Sequence, residues 1–402
     1  MLPLQGVRVV ALEQAVAAPL ATRHLADLGA DVVKIERPDG GDFARGYDHV
    51  VRGVSANFVW LNRGKRSVVL DLKNPTDRER AVRLASGADV FVQNLGPGVA
   101  ERLGLGAEAL RARNSRLIYC SLSGYGENGP YSKRKAYDLL IQGESGAATV
   151  SGTPEQPARI GISVVDISGG MYMLSAILAA LYQRERTGEG QTLALALFDT
   201  IAEWLGVPLL TTMHGGAFAR SGLHHNYIAP YGPFRCKDGI INIAVQNDRE
   251  WTRLAAALGH PELADDPRFR HNADRYAHRE ELQAIIEEAL HEVPLAEAFA
   301  LLERADVAFG ELREVATLQY HPQLAAAERW LEVPAPTEDG APVRTLRPPW
   351  DTAVSGWHAR PGRVPALGEH TAEVLAELER GDWDVPAAPQ RRAEQSTGYP
   401  GV

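Results

Sequence analysis

Short β-branched runs alternate with helix-spaced runs from Val7 to Ser123, and this rhythm constrains the fold more than any other feature of the chain. VRVVAL (7–12) is continuous and apolar, as a strand buried on both faces must be. LATRHLADLGA then carries helical spacing and stops at Gly29, with Pro19 placed as a first helical residue. DVVKIER (31–37) is the second strand, RSVVLDL (66–72) the third, ADVFVQNL the fourth and LIYCSLS (117–123) the fifth. PTDRERAVRLASG and a short run through Val99–Gly104 supply helices between them. Strand, helix and parallel strand in repeated order require a sheet with helices on both faces. The chain therefore reads as α/β: a doubly wound, Rossmann-like parallel sheet as the large domain, with a smaller α+β domain.

The smaller domain is announced by a change of style. After VVDISGGMYM, MYMLSAILAALYQRER predicts a long apolar helix closed by a glycine in TGEG (187–190), and QTLALALFDTIAEWL predicts a strand running into a helix. PFRCKDGIINIAVQ (233–246) then reads as a hairpin turning at Asp238-Gly239, followed by amphipathic helices. The expected division is 1–200 plus 345–385 for the large domain and 225–325 for the small one. Linkers are expected at 200–225 and 326–345, an extended proline-rich course over 334–366, and a flexible tail at 386–402. HTAEVLAELE (370–379) is a last helix.

Which chemistries does the sequence exclude? The first βα turn, ALEQAVAAP, has no Gly-x-Gly-x-x-Gly, so a dinucleotide oxidoreductase is a distant reading. A formal net charge of −9 argues against nucleic-acid binding. No run of 18 apolar residues predicts a membrane span, and the opening residues lack a secretory pattern, so a cytoplasmic protein is expected. Cys120 and Cys236 fit no metal or redox spacing, and the adjacent His224 and His225 point to opposite sides of an extended chain. Against the acidic background, basic residues fall at the carboxyl ends of the strands: Arg37, Lys73, Arg102, and Lys133 to Lys135. Ligands of such sheets bind there, and this distribution favours a phosphate-bearing one.

Five stretches carry a resemblance: NRGKRSVVLDLK (62–73), DVFVQNLGPG (89–98), KAYD (135–138), VVDISGGMY and LGEHT (367–371). Together they resemble the family III coenzyme A transferases, which include formyl-CoA and carnitine CoA transferases, from about residue 4 to 380. The resemblance implies that CoA contacts Gln14, Ala15, Ala17, Arg37, Leu70, Lys73, Asn94, Leu95, Arg102, Lys135 and Tyr137. It makes Asp166 the nucleophile and Asp138 an acidic residue lining the site, and it implies an intertwined homodimer. It also implies no cofactor beyond the CoA thioester itself.

A carboxylate suits this chemistry because it can attack a thioester carbonyl, form a mixed anhydride and release CoA thiolate. On local sequence alone Asp166 is a helix N-cap, a role compatible with the first. Gly169 and Gly170 are expected to let a bulky thioester approach the backbone, and N–H groups at the helix start to steady anionic intermediates. An α-methylacyl-CoA racemase on the same fold is the main rival. Its relatives carry histidine where this chain has Tyr137, and tyrosine is a poor base near neutrality. A non-catalytic CoA-binding protein is a further alternative. HHNYIAPYGPF resembles transferases of small dicarboxylates such as succinate, mesaconate, citramalate or itaconate, with long-chain and bile acids as other acceptors. Gln14 and Val16 replace the histidine and glutamine of formyl-CoA transferase, which points away from formate and oxalate. Arg45, Arg52, Arg63 and His224 are candidates for holding a second carboxylate.

Overall fold

The structure, a computed structural model, describes residues 1–359 and 362–385. The expected tail at 386–402 lies outside the described residues. The chain forms two compact units, the first made of 1–141, 162–204 and the described residues from 327 on, the second of 142–161 and 205–326. Three stretches lie elsewhere than the sequence places them: 142–161 and the expected linker residues 205–224 belong with the second unit, and 327–345 with the first.

The first unit opens with β1 (Arg8–Leu12), α1 (Ala17–Asp27), β2 (Asp31–Glu36), α2 (Ala56–Asn62), β3 (Lys65–Val69) and α3 (Pro75–Ser86). It continues through β4 (Val90–Gln93), α4 (Val99–Arg102), α5 (Ala107–Arg113), β5 (Ile118–Ser123) and α6 (Asp138–Ser145). Then come α7 (Val164–Thr187), β6 (Thr192–Ala196) and α8 (Leu197–Trp204). The strands form one sheet in the order β3-β2-β1-β4-β5-β6, every pair parallel. Its strand order reverses beside β1, where such sheets leave a crevice for ligands.

Alternation along the strands divides the sheet into two faces. Val10, Leu12, Val33, Ile35 and Val68 pack with Val82, Leu84 and Ala85 of α3 in one apolar core. The opposite set on β2 and β3 includes Lys34, Glu36, Lys65 and Ser67, all buried. A layer of charge therefore lies under the α1 side of a sheet whose other side is hydrocarbon.

In the second unit α9 (Gly206–His214) precedes β7 (Tyr231–Arg235) and β8 (Ile240–Ala244), an antiparallel hairpin turning at the expected Asp238-Gly239. α10 (Asp248–Ala257), α11 (Asn272–Ala277), α12 (Arg279–Leu290) and α13 (Leu295–Arg304) follow, and β9 (Ala308–Glu311) returns to pair with β8. Trp251, Phe234, Phe269, Ile243, Ile286 and Leu302 form this unit's own core. α14 (Pro322–Ala326) ends it. β10 (Trp330–Val333), in the expected linker, pairs with β11 (Val343–Leu346), inside the stretch expected to run extended, and α15 (Thr371–Glu379) closes the first unit.

α7 has the length and mean hydropathy of a membrane span, although it holds no unbroken run of 18 apolar residues. More than half of its most apolar window is buried. Met173, Leu174, Ile177 and Leu181 pack inward, while glycines let it touch α1 and α8 closely. This is how a core helix is built.

Candidate active site

α7 begins at Val164 behind Ser163, whose side chain makes no capping bond. Asp166 is thus the third helical residue and not the N-cap expected from the local sequence. The cap comes from another element. Asp138, the first residue of α6, accepts the N–H of Val165 at 2.8 Å and that of Asp166 at 3.4 Å through Oδ1. Val164 N–H donates to Ile162 O at 2.8 Å, and Ile167 N–H to Ser163 O at 2.9 Å. The amides expected to steady an anion are therefore taken.

The Asp166 carboxyl is half-buried. Burial, and secondly the Asp138 carboxylate beside it, push its pKa from 3.8 up to about 7. It feels a further neighbour: the Tyr47 hydroxyl is pushed up to about 12 by burial and by the charges of Asp42, Asp166 and Tyr137. Tyr47 was not legible in the sequence, because it follows a short turn, Phe43–Gly46, inside a glycine-rich loop.

The glycines behind Asp166 do something other than admit a thioester. A Cβ on Gly170 would lie 2.5 Å from the Ala17 carbonyl oxygen, and one on Gly169 would lie 2.7 Å from Leu197 Cδ2. Both residues are buried. They let α7 press against α1 and α8, and so fix Asp166 relative to the β1–α1 turn.

That turn gathers three of the expected contacts. Ala15 is left-handed at φ 64°, a conformation that L-residues other than glycine rarely adopt. Its N–H donates to Asp42 Oδ1 at 3.1 Å. Gln14 is clamped through its main chain by the Asn94 amide, which donates to Gln14 O and accepts from Gln14 N, each at 2.9 Å. Ala17 is buried against α7. Pro19 is the third residue of α1, not the first.

The structure brings Gln14, Ala15, Ala17, Asn94, Asp138 and Asp166 to the ends of β1 and β4 and the starts of α1, α6 and α7. Leu95 lines a cleft of about 350 Å³ with Gln93, Ser121, Ser123 and Lys133 at the carboxyl ends of β4, β5 and β6. Tyr137, directly before Asp138, is exposed, as are Lys73, Arg102 and Lys135. Arg37 is exposed too and donates through Nε to Gly41 O at 2.8 Å. Leu70 does not join them: its side chain is buried in the apolar core.

The cations suggested for a second carboxylate are occupied. Arg63 is buried and bidentate to Asp27, at 2.9 and 2.8 Å. Arg45 is bidentate to Glu36, at 2.8 and 2.7 Å, and stacks on Phe58. Arg52 serves the carbonyls of Ala341 and Pro342. His224 belongs to the second unit, where it lies over Gly232 and lines a separate cavity of about 390 Å³.

The sequence pattern described as CoA-transferase family III matches residues 4–371. The chain is similar to the acetyl-CoA:oxalate CoA-transferase of Acetobacter aceti, 38% identical over 382 residues that cover 94% of this chain and 96% of that one. It is equally similar to the succinate-glutarate CoA-transferase of Agrobacterium fabrum, 38% identical over 387 residues with the same coverage. A solved CaiB/BaiF family protein from Brucella suis superposes with a TM-score of 0.82 at 37% identity, over 94% of this chain and 99% of that chain.

Proposed function

As the chain belongs to CoA-transferase family III, we propose that Asp166 is the group through which it moves CoA from an acyl-CoA to a free carboxylic acid. The observation that carries this is the half-buried carboxylate at the start of α7, held against the β1–α1 turn with Asp138 beneath it.

An Asp166 oxygen attacks the thioester carbonyl, the C–S bond breaks, and CoA leaves as thiolate with an aspartyl–acyl anhydride behind it. The thiolate attacks the aspartyl carbonyl and the donor acid departs, leaving an aspartyl-CoA thioester. The acceptor carboxylate attacks that carbonyl and re-forms thiolate and anhydride. Attack of thiolate on the acceptor's carbonyl then yields acceptor-CoA and free Asp166. Each step exchanges one acyl derivative for another, so the chemistry calls for no redox change and no metal. The N–H groups of α7 are bonded within the protein. The opening of α1, which has no side-chain cap and packs against α7 at Gly170, offers donors to a developing oxyanion.

The acceptor is a small dicarboxylate. Relatives named for oxalate, succinate and glutarate support that class, and an oxalate enzyme at 38% identity returns oxalate to it despite Gln14 and Val16. A second copy of the chain completes the assembly. The apolar residues Val207, Leu209, Leu210 and Met213 of α9 support this, since all are exposed in one chain.

The test is to mix the enzyme with succinyl-CoA, quench with hydroxylamine or borohydride, and map the modified residue by mass. A label at Asp166, and loss of transfer by about 10³-fold or more in Asp166→Ala, is the expected result. Normal transfer in that variant, or exchange of the acyl α-proton with solvent deuterium without transfer, would sink the reading.

A further inference from the structure

The mechanism leaves unused the charged layer sealed under the β1–α1 turn. The side chains of Glu13, Lys34 and Lys65 are closed to solvent. Lys65 Nζ donates to Glu13 Oε1 at 2.7 Å and to Pro19 O at 3.0 Å. Lys34 Nζ donates to Asp42 Oδ2 at 2.9 Å. The two ammoniums and two carboxylates balance. Buried ion pairs are weak devices for stability compared with apolar packing of the same volume, so this layer has another use.

That use is visible at the second oxygen of Asp42. Oδ1 accepts the N–H of Ala15 at 3.1 Å and that of Ala44 at 2.9 Å. Asp42 is itself pinned, because its own N–H donates to Glu36 Oε2 at 2.9 Å and Glu36 is gripped by Arg45. Ala15 is the one left-handed residue of the turn, and two positions later the Ala17 carbonyl packs against α7 at Gly170. Backbone strain held by surrounding structure belongs at functional sites.

The geometry points to Asp42 as a positioning residue of the active site: anchored through one oxygen by Lys34, it holds Ala15 left-handed through the other, and so keeps the main chain of 14–17 in place beside Asp166. This rests on the reading of Asp166 as nucleophile.

Asp42→Ala alone would leave the buried Lys34 with only its 3.4 Å contact to Glu13, which Lys65 already holds, so the comparison uses two double variants. Lys34→Met with Asp42→Asn and Lys34→Met with Asp42→Ala both remove that charge pair and leave Glu13 balanced by Lys65. Only the asparagine keeps an acceptor for the Ala15 N–H. Melting temperature, kcat, and KM for succinyl-CoA are measured on each. Expected is kcat/KM within about threefold of wild type for the asparagine pair, and a loss of about 10–100-fold for the alanine pair at a similar melting temperature. Adding Ala15→Gly to the alanine pair should recover much of that loss, since glycine enters the left-handed region freely. Equal kinetics in the two pairs, or a loss that follows melting temperature and ignores Ala15→Gly, overturns the proposal. Asp166→Ala is a separate arm. Transfer surviving there overturns the nucleophile reading, and KM for succinyl-CoA in the Asp42 variants still decides whether the turn is positioned.

Discussion

As the proposed nucleophile Asp166 attacks as an anion, and a pKa raised to about 7 would tie that attack to pH. Burial, then the Asp138 charge, raises Asp166 above its ordinary 3.8 to about 7. The expected profile of kcat/KM therefore rises with pH through about 7. Asp138→Asn removes the second cause and leaves the first, so the rising limb should move to lower pH without reaching an ordinary carboxylate's; an unmoved limb would exclude the coupling. Stability runs the other way. With the folded pKa above the unfolded one, ionising Asp166 costs nothing below about 3.8, where both states are protonated, and costs its full amount above about 7. Asp166→Asn should accordingly melt higher than wild type at pH 8, with the gain shrinking toward pH 4. Equal melting at both pH values would refute the burial of charge. Position 166 itself was legible only through the motif VVDISGGMY. Its local pattern suggests a cap, and the true cap, Asp138, is 28 residues away in sequence, where no local rule connects the two.

Elements were read with uneven success for a physical reason. β1, α1 and β2 follow from hydrophobic pattern because both faces of those strands are covered. α2 and α6 are short and packed on only part of their surface, so they give little periodicity to read. The β10–β11 pair was missed because proline-rich flanks mask two short strands. A signal for the charged layer was present: Lys34 interrupts DVVKIE on the face shared with Lys65 and Ser67. The glycines of α7 carry the sharpest element-level prediction. Gly170→Ala places a methyl 2.5 Å from the Ala17 carbonyl, which belongs to backbone and cannot swing aside. Relief requires α7 and α1 to part, at a cost of roughly 1–3 kcal/mol. A lower melting temperature and a kcat drop larger than any KM change are expected, since Asp166 shifts with its helix. If melting and kcat both match wild type, the helices are not in contact there.

At the scale of the whole molecule, the strand order explains where a ligand can go, but not what covers the outside. The sequence pattern predicted strands and helices; it could not show that α9 is apolar yet unburied. Val207, Leu209, Leu210 and Met213 are each more than half exposed. A helix with four exposed apolar side chains belongs against something, and among the described residues of one chain nothing buries any residue of α9. A second copy is the occupant that the family resemblance implies. The expected outcome is a dimeric mass by light scattering at micromolar concentration, with Leu210→Glu giving a monomeric or dissociating species and reduced transfer. The charge would be placed in a dehydrated interface without a partner, a penalty large enough to shift such an equilibrium. Adding Met213→Glu should deepen the effect, because residues three apart on a helix share a face. A monomeric wild-type chain with full activity would show instead that α9 meets solvent, and would remove the second copy from the proposal while leaving the chemistry at Asp166 untouched.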